Sequence, residues 1–239
     1  MLNNQDDRVN HRKNQIDLLE KNPKEIRRMF DKISHQYDLM NDILSCFSHK
    51  KIKLQAIEAL KLKDNIRVLD LCCGTGDLAR IIKKKYPKTQ VIGVDFSRNM
   101  LKIASRKNKN IEYYEADATN LSFADDYFDC VVMGFGLRNI QEPENALCEI
   151  YRVLKREGKF LHLDFDKQGK YIRLYDKIMP YILRLFAKDL TPYEYLLNSK
   201  NEFYSNDELI EFFEDNKFGF VSYNKTKFDM ISYQVMKKY

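Results

Sequence analysis

Strand-like and helix-like patterns of apolar residues alternate through the middle of this 239-residue chain. Short apolar runs predict strands near 66–72, 90–95, 111–116, 129–134 and 158–165. Apolar residues three and four positions apart predict helices near 77–86, 98–107, 143–155 and 170–189. Alternation of this kind is typical of a parallel sheet with helices on both faces, joined by right-handed crossovers.

The amino-terminal region has a different pattern. Residues 1–23 are polar and predict a poorly ordered segment. Apolar residues recur at helical spacing within 24–33 and again within 49–61. We therefore expect residues 24–61 to form a helical lid, as part of one domain that spans 24–239.

The carboxyl-terminal third carries three further signals. Ser205 and Glu208 have the spacing of a capping box, which predicts a helix near 206–216. Two strand-like runs follow this helix, near 218–227 and 229–237. Pro180 is expected to kink or break the helix predicted over 170–189, because proline lacks a backbone N–H and its ring crowds the preceding turn.

A glycine turn is the most informative stretch of the chain. From Val68 to Ala79, an apolar strand passes through Gly74 and Gly76 into a helix. Backbone N–H groups and a helix amino terminus in such a turn face a polar ligand at close range. The spacing fits the dinucleotide fingerprint of NAD enzymes. It also fits S-adenosylmethionine, since Asp70, just before the turn, suits the ammonium group of the methionine part.

Two more strand ends carry matching signals. Asp95 closes the second predicted strand, and a carboxylate there accepts both hydroxyls of a ribose. Asp117 and Ala118 follow the third, where they can meet the adenine amino edge and pack against its ring. Ligands of open sheets bind at the carboxyl ends of the strands, where Gly134 also lies. These positions predict one site for an adenosine-containing cofactor.

The composition argues against metalloproteins, membrane-spanning proteins and nucleic-acid-binding proteins. The five cysteines form no Cys-x-x-Cys pair and the four histidines show no metal-ligand spacing. We therefore expect a reduced, cytoplasmic protein without a metal. No apolar run is long enough to span a bilayer. The net charge of +6 is modest, and no nucleic-acid module is present, so no nucleic-acid partner is expected.

Four segments carry a likeness that is more specific than the fold class. They are Tyr37–Ser45 with His49, Leu69–Leu78, Gly134–Asn139 and Tyr151–Lys155. The first contains Tyr-Asp-Leu-Met-Asn and the third Phe-Gly-Leu-Arg-Asn. With these elements, the chain resembles the ubiquinone/menaquinone biosynthesis C-methyltransferases.

The resemblance implies a Rossmann-like class I methyltransferase fold of the α/β class. This fold has a mostly parallel seven-stranded sheet, helices on both faces and an amino-terminal helical lid. The resemblance also implies S-adenosyl-L-methionine as the cofactor and a prenylated quinol, such as demethylmenaquinol, as the substrate. The cofactor contacts that it implies are Thr75, Asp95, Asp117, Ala118 and Gly134, which join Asp70, Gly74 and Gly76 of the turn.

Four residues are candidates for the chemistry of such a methyl transfer. Arg138 could stabilise a phenolate, with Asn139 orienting the same oxygen, or it could pair with a structural carboxylate. His49 could accept a proton or be a hydrogen-bonded structural residue. Asp164 stands where the family has a glutamate, at a strand end. Since His162 and Asp166 alternate with it, a polar strand end or a metal site would also fit the pattern.

Departures from the family pattern concentrate in the substrate half of the chain. Lys155–Gly158 replaces Lys-Pro-Gly-Gly, Asp164–Asp166 replaces Glu-Phe-Ser, and the chain has no tryptophan. Two alternative functions therefore remain open. The chain could be a methyltransferase that acts on another small or lipid-like acceptor, or a non-catalytic cofactor-binding subunit of a quinone-synthesis complex. The basic amphipathic helix at 170–189 is compatible with contact at the inner face of a membrane, with a tunnel for an isoprenoid tail, or with packing on the sheet.

Overall fold

A computed structural model describes residues 22–45, 47–167, 171–187, 189–225 and 230–239 of the chain. The segment predicted over residues 1–23 lies outside these ranges except for its last two residues. Asn22 is the N-cap of the first helix, where its side chain accepts a hydrogen bond from the backbone of Lys24, and Pro23 is the first helical residue.

The helices and strands follow the sequence pattern closely. The α-helices are α1 (Pro23–Ile33), α2 (Tyr37–Leu44), α3 (His49–Ala59), α4 (Asp77–Lys85), α5 (Arg98–Lys107), α6 (Pro143–Val153), α7 (Ile172–Phe186), α8 (Thr191–Glu202) and α9 (Asn206–Asp215). The strands are β1 (Arg67–Leu71), β2 (Gln90–Asp95), β3 (Glu112–Glu115), β4 (Phe128–Gly134), β5 (Leu154–Phe165), β6 (Phe218–Lys225) and β7 (Ile231–Lys238). Each predicted strand and helix is confirmed, whereas α2 and α8 were not predicted.

The strands form one seven-stranded sheet in the order β3-β2-β1-β4-β5-β7-β6. β7 is antiparallel to both of its neighbours, and the other pairs are parallel. Side chains alternate between the two faces, so Val68 and Val132 enter one apolar core while Leu69 and Val131 enter the other. The predicted mostly parallel sheet with helices on both faces is confirmed.

The capping box at the start of α9 is present in full. The side chain of Ser205 accepts a hydrogen bond from the backbone of Glu208, whose carboxylate accepts one from the backbone of Ser205. Of the two effects expected of Pro180, a kink or a break, the break does not occur, since α7 continues from Ile172 to Phe186 through that residue. The buried face of α7 holds the helix together across the missing hydrogen bond.

The amino-terminal helices divide between two places. Ile26, Phe30 and Met40 of α1 and α2 pack with α7 and α8 in a third apolar cluster above the sheet. The helix α3 instead packs on the sheet, with Ile57 and Leu60 in one of its two cores. Of the span expected to be a lid, α1 and α2 therefore overlie the sheet edge, and α3 belongs to the body.

Candidate active site

The carboxyl ends of the central strands meet at one edge of the sheet. Leu71 of β1 pairs with Val94 of β2 and with Met133 of β4. One residue further, Gly134 pairs with Leu163 of β5. The residues that follow these strand ends therefore face a common space, as the sequence predicts.

The turn after β1 and the turn after β4 both contain left-handed backbone. Gly74 and Gly76 have φ of 53° and 79°, which glycine adopts without strain. Cys72 and Phe135, with φ of 57° and 60°, adopt the same region with a side chain attached. Such residues cost about 1–2 kcal/mol each and concentrate at functional sites. Here they mark the two strand ends that border both cavities described next.

The first cavity, here called the β2-side cavity, spans about 1130 Å³, part of which is open to solvent. Its lining includes Val94, Asp95, Phe96, Met100, Ala116, Asp117, Ala118, Asn139 and Ile140. Asp95 is buried, and its carboxylate accepts hydrogen bonds from the backbone N–H of Gly74 at 2.8 Å and of Ser97 at 2.9 Å. Each oxygen keeps a further acceptor position. Burial raises the pKa of Asp95 to about 6, against the lowering effect of the backbone N–H groups of Ser97, Gly74 and Phe96.

Asp117 and Ala118 shape the far wall of this cavity. One carboxylate oxygen of Asp117 accepts hydrogen bonds from the backbone N–H and the hydroxyl of Thr119, at 2.9 Å and 2.8 Å. The bonds hold the loop after β3 in place, and Ala118 is buried beside it. A polar edge next to a small apolar wall suits an aromatic base.

The second cavity, here called the α3-side cavity, spans about 890 Å³, part of which is open to solvent. Its lining includes Leu44, His49, Lys53, Asp70, Thr75, Asp77, Arg138, Phe165, Tyr175, Leu196, Leu197 and Lys200. Phe30, Tyr37, Cys72, Gly74, Gly134 and Phe135 line both cavities. The two cavities therefore meet beside the glycine turn.

Asp70 points one oxygen toward the α3-side cavity. Its Oδ2 accepts a hydrogen bond from the backbone N–H of Ala79 at 2.8 Å. Its Oδ1 is buried and has no hydrogen-bond partner within the described ranges. Burial raises the pKa of Asp70 to about 7. A buried carboxylate oxygen without a hydrogen-bond partner is suited to accept a hydrogen bond from a cationic group of a ligand.

Arg138 and Asp164 form a buried ion pair, with side chains that are 4% and 2% exposed. The structure thus contains the carboxylate pairing that the sequence left as one alternative for Arg138. Arg138 lines the α3-side cavity and Asp164 lies behind it. Nε of Arg138 and Oδ2 of Asp164 are buried without a partner among the described side chains and backbone. The guanidinium also lies 5.5 Å from the centre of the Phe165 ring.

His49 is buried on α3 and contacts two acids. Its Nε2 lies 2.7 Å from Oδ1 of Asp42, and its Nδ1 lies 3.7 Å from Oδ2 of Asp77. Burial and the nearby Lys53 cation lower the pKa of His49, so the ring is neutral near pH 7. With Nε2–H donating to Asp42, Nδ1 is left as an acceptor at the cavity wall.

Lys53 and Asp77 are residues of the cavity that sequence reasoning missed. Nζ of Lys53 donates to Oδ2 of Asp77 at 3.0 Å, and both residues are buried. Although burial opposes it, the Lys53 cation holds the pKa of Asp77 well below its usual range. A signal for Lys53 was present, since it stands four residues after His49 and so shares its helix face.

Three residues predicted to act in the site lie apart from their expected partners. Asn139 donates to the carbonyl of Phe135 at 3.0 Å and lines the β2-side cavity, so it does not face the same space as Arg138. Gly76 lies outside the lining of both cavities, and a Cβ there would lie 2.5 Å from the Tyr113 hydroxyl. The Thr75 hydroxyl lines the α3-side cavity but donates to Asp38 at 2.6 Å.

The alternating polar residues of β5 have separate partners. His162 is buried and hydrogen-bonds Gln234 at 2.9 Å, while Asp166 pairs with Lys225 at 2.9 Å. Across the described ranges, no cluster of three or more His, Cys, Asp or Glu side chains is arranged to hold a metal ion. The alternation at this strand therefore corresponds to a polar strand end.

Hydrogen bonds and an ion pair connect the helices α1 and α2 to the edge of the sheet beside the cavities. Asp31 of α1 accepts a hydrogen bond from the hydroxyl of Ser97 at 2.6 Å, and Arg27 pairs with Glu115 beyond β3. On α2, Asp38 accepts a hydrogen bond from the hydroxyl of Thr75 in the glycine turn. These contacts tie the amino-terminal helices to the edge of the sheet where the cavities open.

Comparison with protein families identifies a match over residues 18–238, to the model described as the ubiE/COQ5 methyltransferase family. A demethylmenaquinone methyltransferase from Thermotoga maritima is 37% identical, over 83% of this chain and 90% of its own length. A protein of the same name from Staphylococcus carnosus is 39% identical, over 79% of this chain and 83% of its own.

Solved structures share the fold at lower sequence identity. A SAM-dependent methyltransferase from Thermotoga maritima superposes with a TM-score of 0.67 at 22% identity, and the match covers 89% of this chain and 99% of that one. This superposition confirms the class I methyltransferase fold that the sequence predicts.

Proposed function

The chain belongs to the ubiE/COQ5 methyltransferase family, and we propose that it methylates a ring carbon of demethylmenaquinol to form menaquinol, with S-adenosylmethionine as the methyl donor. The names of its relatives support this acceptor. The observation that carries the proposal is the meeting of the two cavities beside Cys72, Gly74 and Gly134. A donor that lies in the β2-side cavity and reaches Asp70 with its ammonium group would meet there an acceptor held in the α3-side cavity.

The residues of both cavities fit S-adenosylmethionine. Asp95 would bind the ribose hydroxyls with its remaining acceptor positions, and Asp117 with Ala118 would border the adenine. Asp70 would bind the ammonium group through its unpartnered Oδ1. At Gly134, a Cβ would lie 2.9 Å from a methyl of Leu78, so this strand end offers its backbone to the ligand. Once bound, the cofactor supplies an electrophilic methyl group on a sulfonium centre.

The α3-side cavity has the composition expected for a prenylated quinol. Leu44, Leu196, Leu197 and Phe165 provide apolar walls, and the polar groups gather near the junction. A quinol ring carbon becomes nucleophilic when a neighbouring hydroxyl loses its proton. Arg138 would stabilise the resulting phenolate, and Asp164 would hold the guanidinium in position from behind.

His49 would accept the hydroxyl proton at Nδ1. The O–H bond would break as the proton passes to the imidazole. The ring carbon would then use its electron pair to bond the methyl carbon, while the methyl–sulfur bond breaks and its electron pair stays on the sulfur. Asp77 then faces the new N–H, and Asp42 links the opposite nitrogen to the surface. The proton on the methylated carbon leaves to solvent as the ring regains aromaticity. Asn139 would act on the donor side, through the β2-side cavity. Gly76 would support the shape of the glycine turn, where it packs closely against Tyr113.

The cellular placement that we propose is cytoplasmic, with peripheral contact at the inner face of a membrane. Within the described residues, no helix is both long and apolar enough to cross a bilayer. Cys72, Cys73, Cys130 and Cys148 are present as thiols rather than disulfides, which is typical of a reducing compartment. A prenylated acceptor is itself dissolved in lipid, which supports contact with the membrane.

Transfer of a labelled methyl group tests the proposal. Purified protein is incubated with S-adenosylmethionine labelled in the methyl group and with chemically reduced demethylmenaquinol in detergent micelles. We expect label in the extracted menaquinol, located on the ring by mass spectrometry. A benzoquinol with the same tail, run in parallel, reports the preference for the ring.

Two variants connect the activity to the site. His49→Ala should lower the transfer rate by about 10²–10⁴-fold while cofactor affinity stays unchanged, because His49 lies on the acceptor side. Asp95→Ala should instead weaken cofactor binding. Cofactor binding without transfer to any quinol would favour a non-catalytic subunit, and transfer only to other acceptors would reject the quinol.

A further inference from the structure

Helix α7 presents an apolar stripe to solvent. Leu174, Ile178, Tyr181 and Leu185 follow one another at intervals of four, three and four residues, which places them on one helical face. Their exposed fractions are 56%, 46%, 68% and 80%. The opposite face is buried and consists of Ile172, Tyr175, Met179 and Leu183. We call the four exposed residues the α7 stripe.

Basic residues lie along one side of the α7 stripe. Arg173, Lys177 and Arg184 are exposed and share the neighbouring helical face. The guanidinium of Arg184 lies 5.6 Å from the centre of the Tyr181 ring, at the border between the two faces. The single acidic residue of α7, Asp176, accepts a hydrogen bond from Lys200 on the protein side. The exposed surface of α7 is therefore apolar and positively charged.

The dimensions of the α7 stripe suit an interface rather than a membrane span. From Leu174 to Leu185 it extends over about 16 Å. Contiguous exposed apolar surface of this kind marks an interaction site. A helix with apolar residues beside basic ones lies in the plane of an anionic lipid surface, with its apolar face at the acyl-chain boundary.

The α7 stripe also lies next to the acceptor side of the site. Tyr175, on the buried face of α7, lines the α3-side cavity, and so do Leu196 and Leu197 of the adjoining helix α8. One helix thus contributes to the wall of this cavity and to the exposed stripe. A surface bound at the stripe would lie close to that wall.

We propose that the α7 stripe is a docking surface for an anionic lipid bilayer. Leu174, Ile178 and Leu185 enter the boundary of the acyl chains, while Arg173, Lys177 and Arg184 contact headgroup phosphates. The positive charge favours this occupant over a second copy of the chain, because a symmetric contact through α7 would bring like charges together. The inference rests on the membrane contact of the proposed function and assigns that contact to α7. It is tested separately from the proposed activity, since docking requires no methyl transfer.

Vesicle co-sedimentation tests the docking without cofactor or quinol. The full-length protein is mixed with vesicles of phosphatidylglycerol and phosphatidylcholine, or of phosphatidylcholine alone, at low and high ionic strength. We expect binding to the anionic vesicles that weakens with salt. The double variant Ile178→Glu/Leu185→Glu should bind at least about tenfold more weakly. Lys177→Gln alone should weaken binding by about fivefold.

Val221→Glu is the matched control. Val221 lies on β6, far from α7 in the sheet order, and its exposed fraction of 45% equals that of Ile178 within one percentage point. This variant should bind like the unaltered protein. Equal binding of all variants, equal binding to both kinds of vesicle, or absence of binding would overturn the proposal.

A single fluorescent reporter separates the bilayer from other occupants. The chain has no tryptophan, so Leu185→Trp introduces the sole indole. Its emission should be that of an exposed indole in buffer and should shift to the blue with anionic vesicles. Blue emission already in buffer would overturn the proposal in favour of a second copy or a segment of the same chain. Sedimentation velocity on the unaltered protein distinguishes these two by mass.

Discussion

At the scale of single residues, the site is distinguished by buried polar atoms that have no partner within the described ranges. Oδ1 of Asp70, Nδ1 of His49 and Oδ2 of Asp164 are examples. Leaving such an atom buried and unpaired costs about 1–3 kcal/mol. For an atom at a cavity wall, such as Oδ1 of Asp70 or Nδ1 of His49, a ligand that supplies the missing donor would offset this cost.

The carboxyl group of Asp70 makes both stability and binding depend on pH. Burial raises its pKa from 3.8 to about 7, so the folded state retains a proton that the unfolded state has lost. The free energy of unfolding therefore falls as pH rises from about 4 to about 7. A ligand ammonium has the opposite preference, because it binds the ionised carboxylate. Affinity for the cofactor should rise over the same range.

We predict that the affinity for S-adenosylmethionine increases as pH rises from 5 to about 7, and that Asp70→Asn removes most of this increase. The variant should bind about 10- to 100-fold more weakly near neutral pH, because it loses a charge-assisted hydrogen bond. Titration calorimetry across the pH range measures both effects. Asp95, whose pKa is raised to about 6, accounts for the dependence that remains.

Thermal unfolding of the same variant, without ligand, gives an independent result. Asp70→Asn should be more stable than the unaltered protein above pH 7, since it avoids a buried charge, and should keep the bond from Ala79. A variant that loses both stability and affinity at all pH values would contradict this role for Asp70.

At the scale of elements, α7 shows how tertiary contacts override a local signal. Proline inside a helix removes one hydrogen bond and crowds the preceding turn, at a cost of about 3 kcal/mol. The helix nevertheless runs through Pro180, because Tyr175, Met179 and Leu183 are anchored in the cluster beneath α1 and α2. The burial of this face outweighs the local cost.

We predict that Pro180→Ala stabilises the protein by about 2 kcal/mol. The change restores a helical hydrogen bond, and the greater freedom of the unfolded chain offsets part of the gain. Urea unfolding followed by circular dichroism measures the difference. The exposed Lys177→Ala in the same helix should change stability by less than about 0.5 kcal/mol. Destabilisation by Pro180→Ala would mean that packing of the proline ring contributes more than the hydrogen bond.

At the scale of the whole molecule, the amino-terminal helices couple to the sheet edge through the site itself. The bonds from Asp38 to Thr75 and from Asp31 to Ser97 join α1 and α2 to the turns that follow β1 and β2. Tyr37 lines both cavities, between these helices and the glycine turn. A ligand in the cavities would therefore contact the lid and the sheet at once.

We predict that S-adenosylhomocysteine slows amide exchange in α1, α2 and the glycine turn, and leaves β6 unchanged. A ligand at a hundred times its dissociation constant stabilises the folded protein by about 2.7 kcal/mol. Hydrogen exchange measured by mass spectrometry at partial saturation reports each segment. Equal slowing throughout would indicate global stabilisation alone, and no change in α1 and α2 would separate the lid from cofactor binding.

The fold and the cofactor side of the site were accessible from sequence because they depend on local patterns. Alternating strands and helices specify a parallel sheet, and a parallel sheet brings the carboxyl ends of its strands to one edge. The sequence positions of Asp70, Asp95 and Asp117 therefore predict that all three lie at the same edge of the sheet. The helix α8 was missed because its apolar residues lack a clear helical period. The helix α2 was missed because it is short, although Met40, Ile43 and Leu44 share one buried face.

The sequence by itself determined the order of strands and helices, the glycine turn and the acids at the strand ends. Only the tertiary structure decided which side chains share a cavity. Arg138 pairs with Asp164, and His49 contacts Asp77, although the two partners lie far apart in the chain in each case. Asn139 lines the β2-side cavity rather than the cavity of its neighbour Arg138, because the loop turns between them. Such contacts depend on how whole helices, strands and loops pack against one another. Local residue patterns do not specify which side chains of distant elements come into contact.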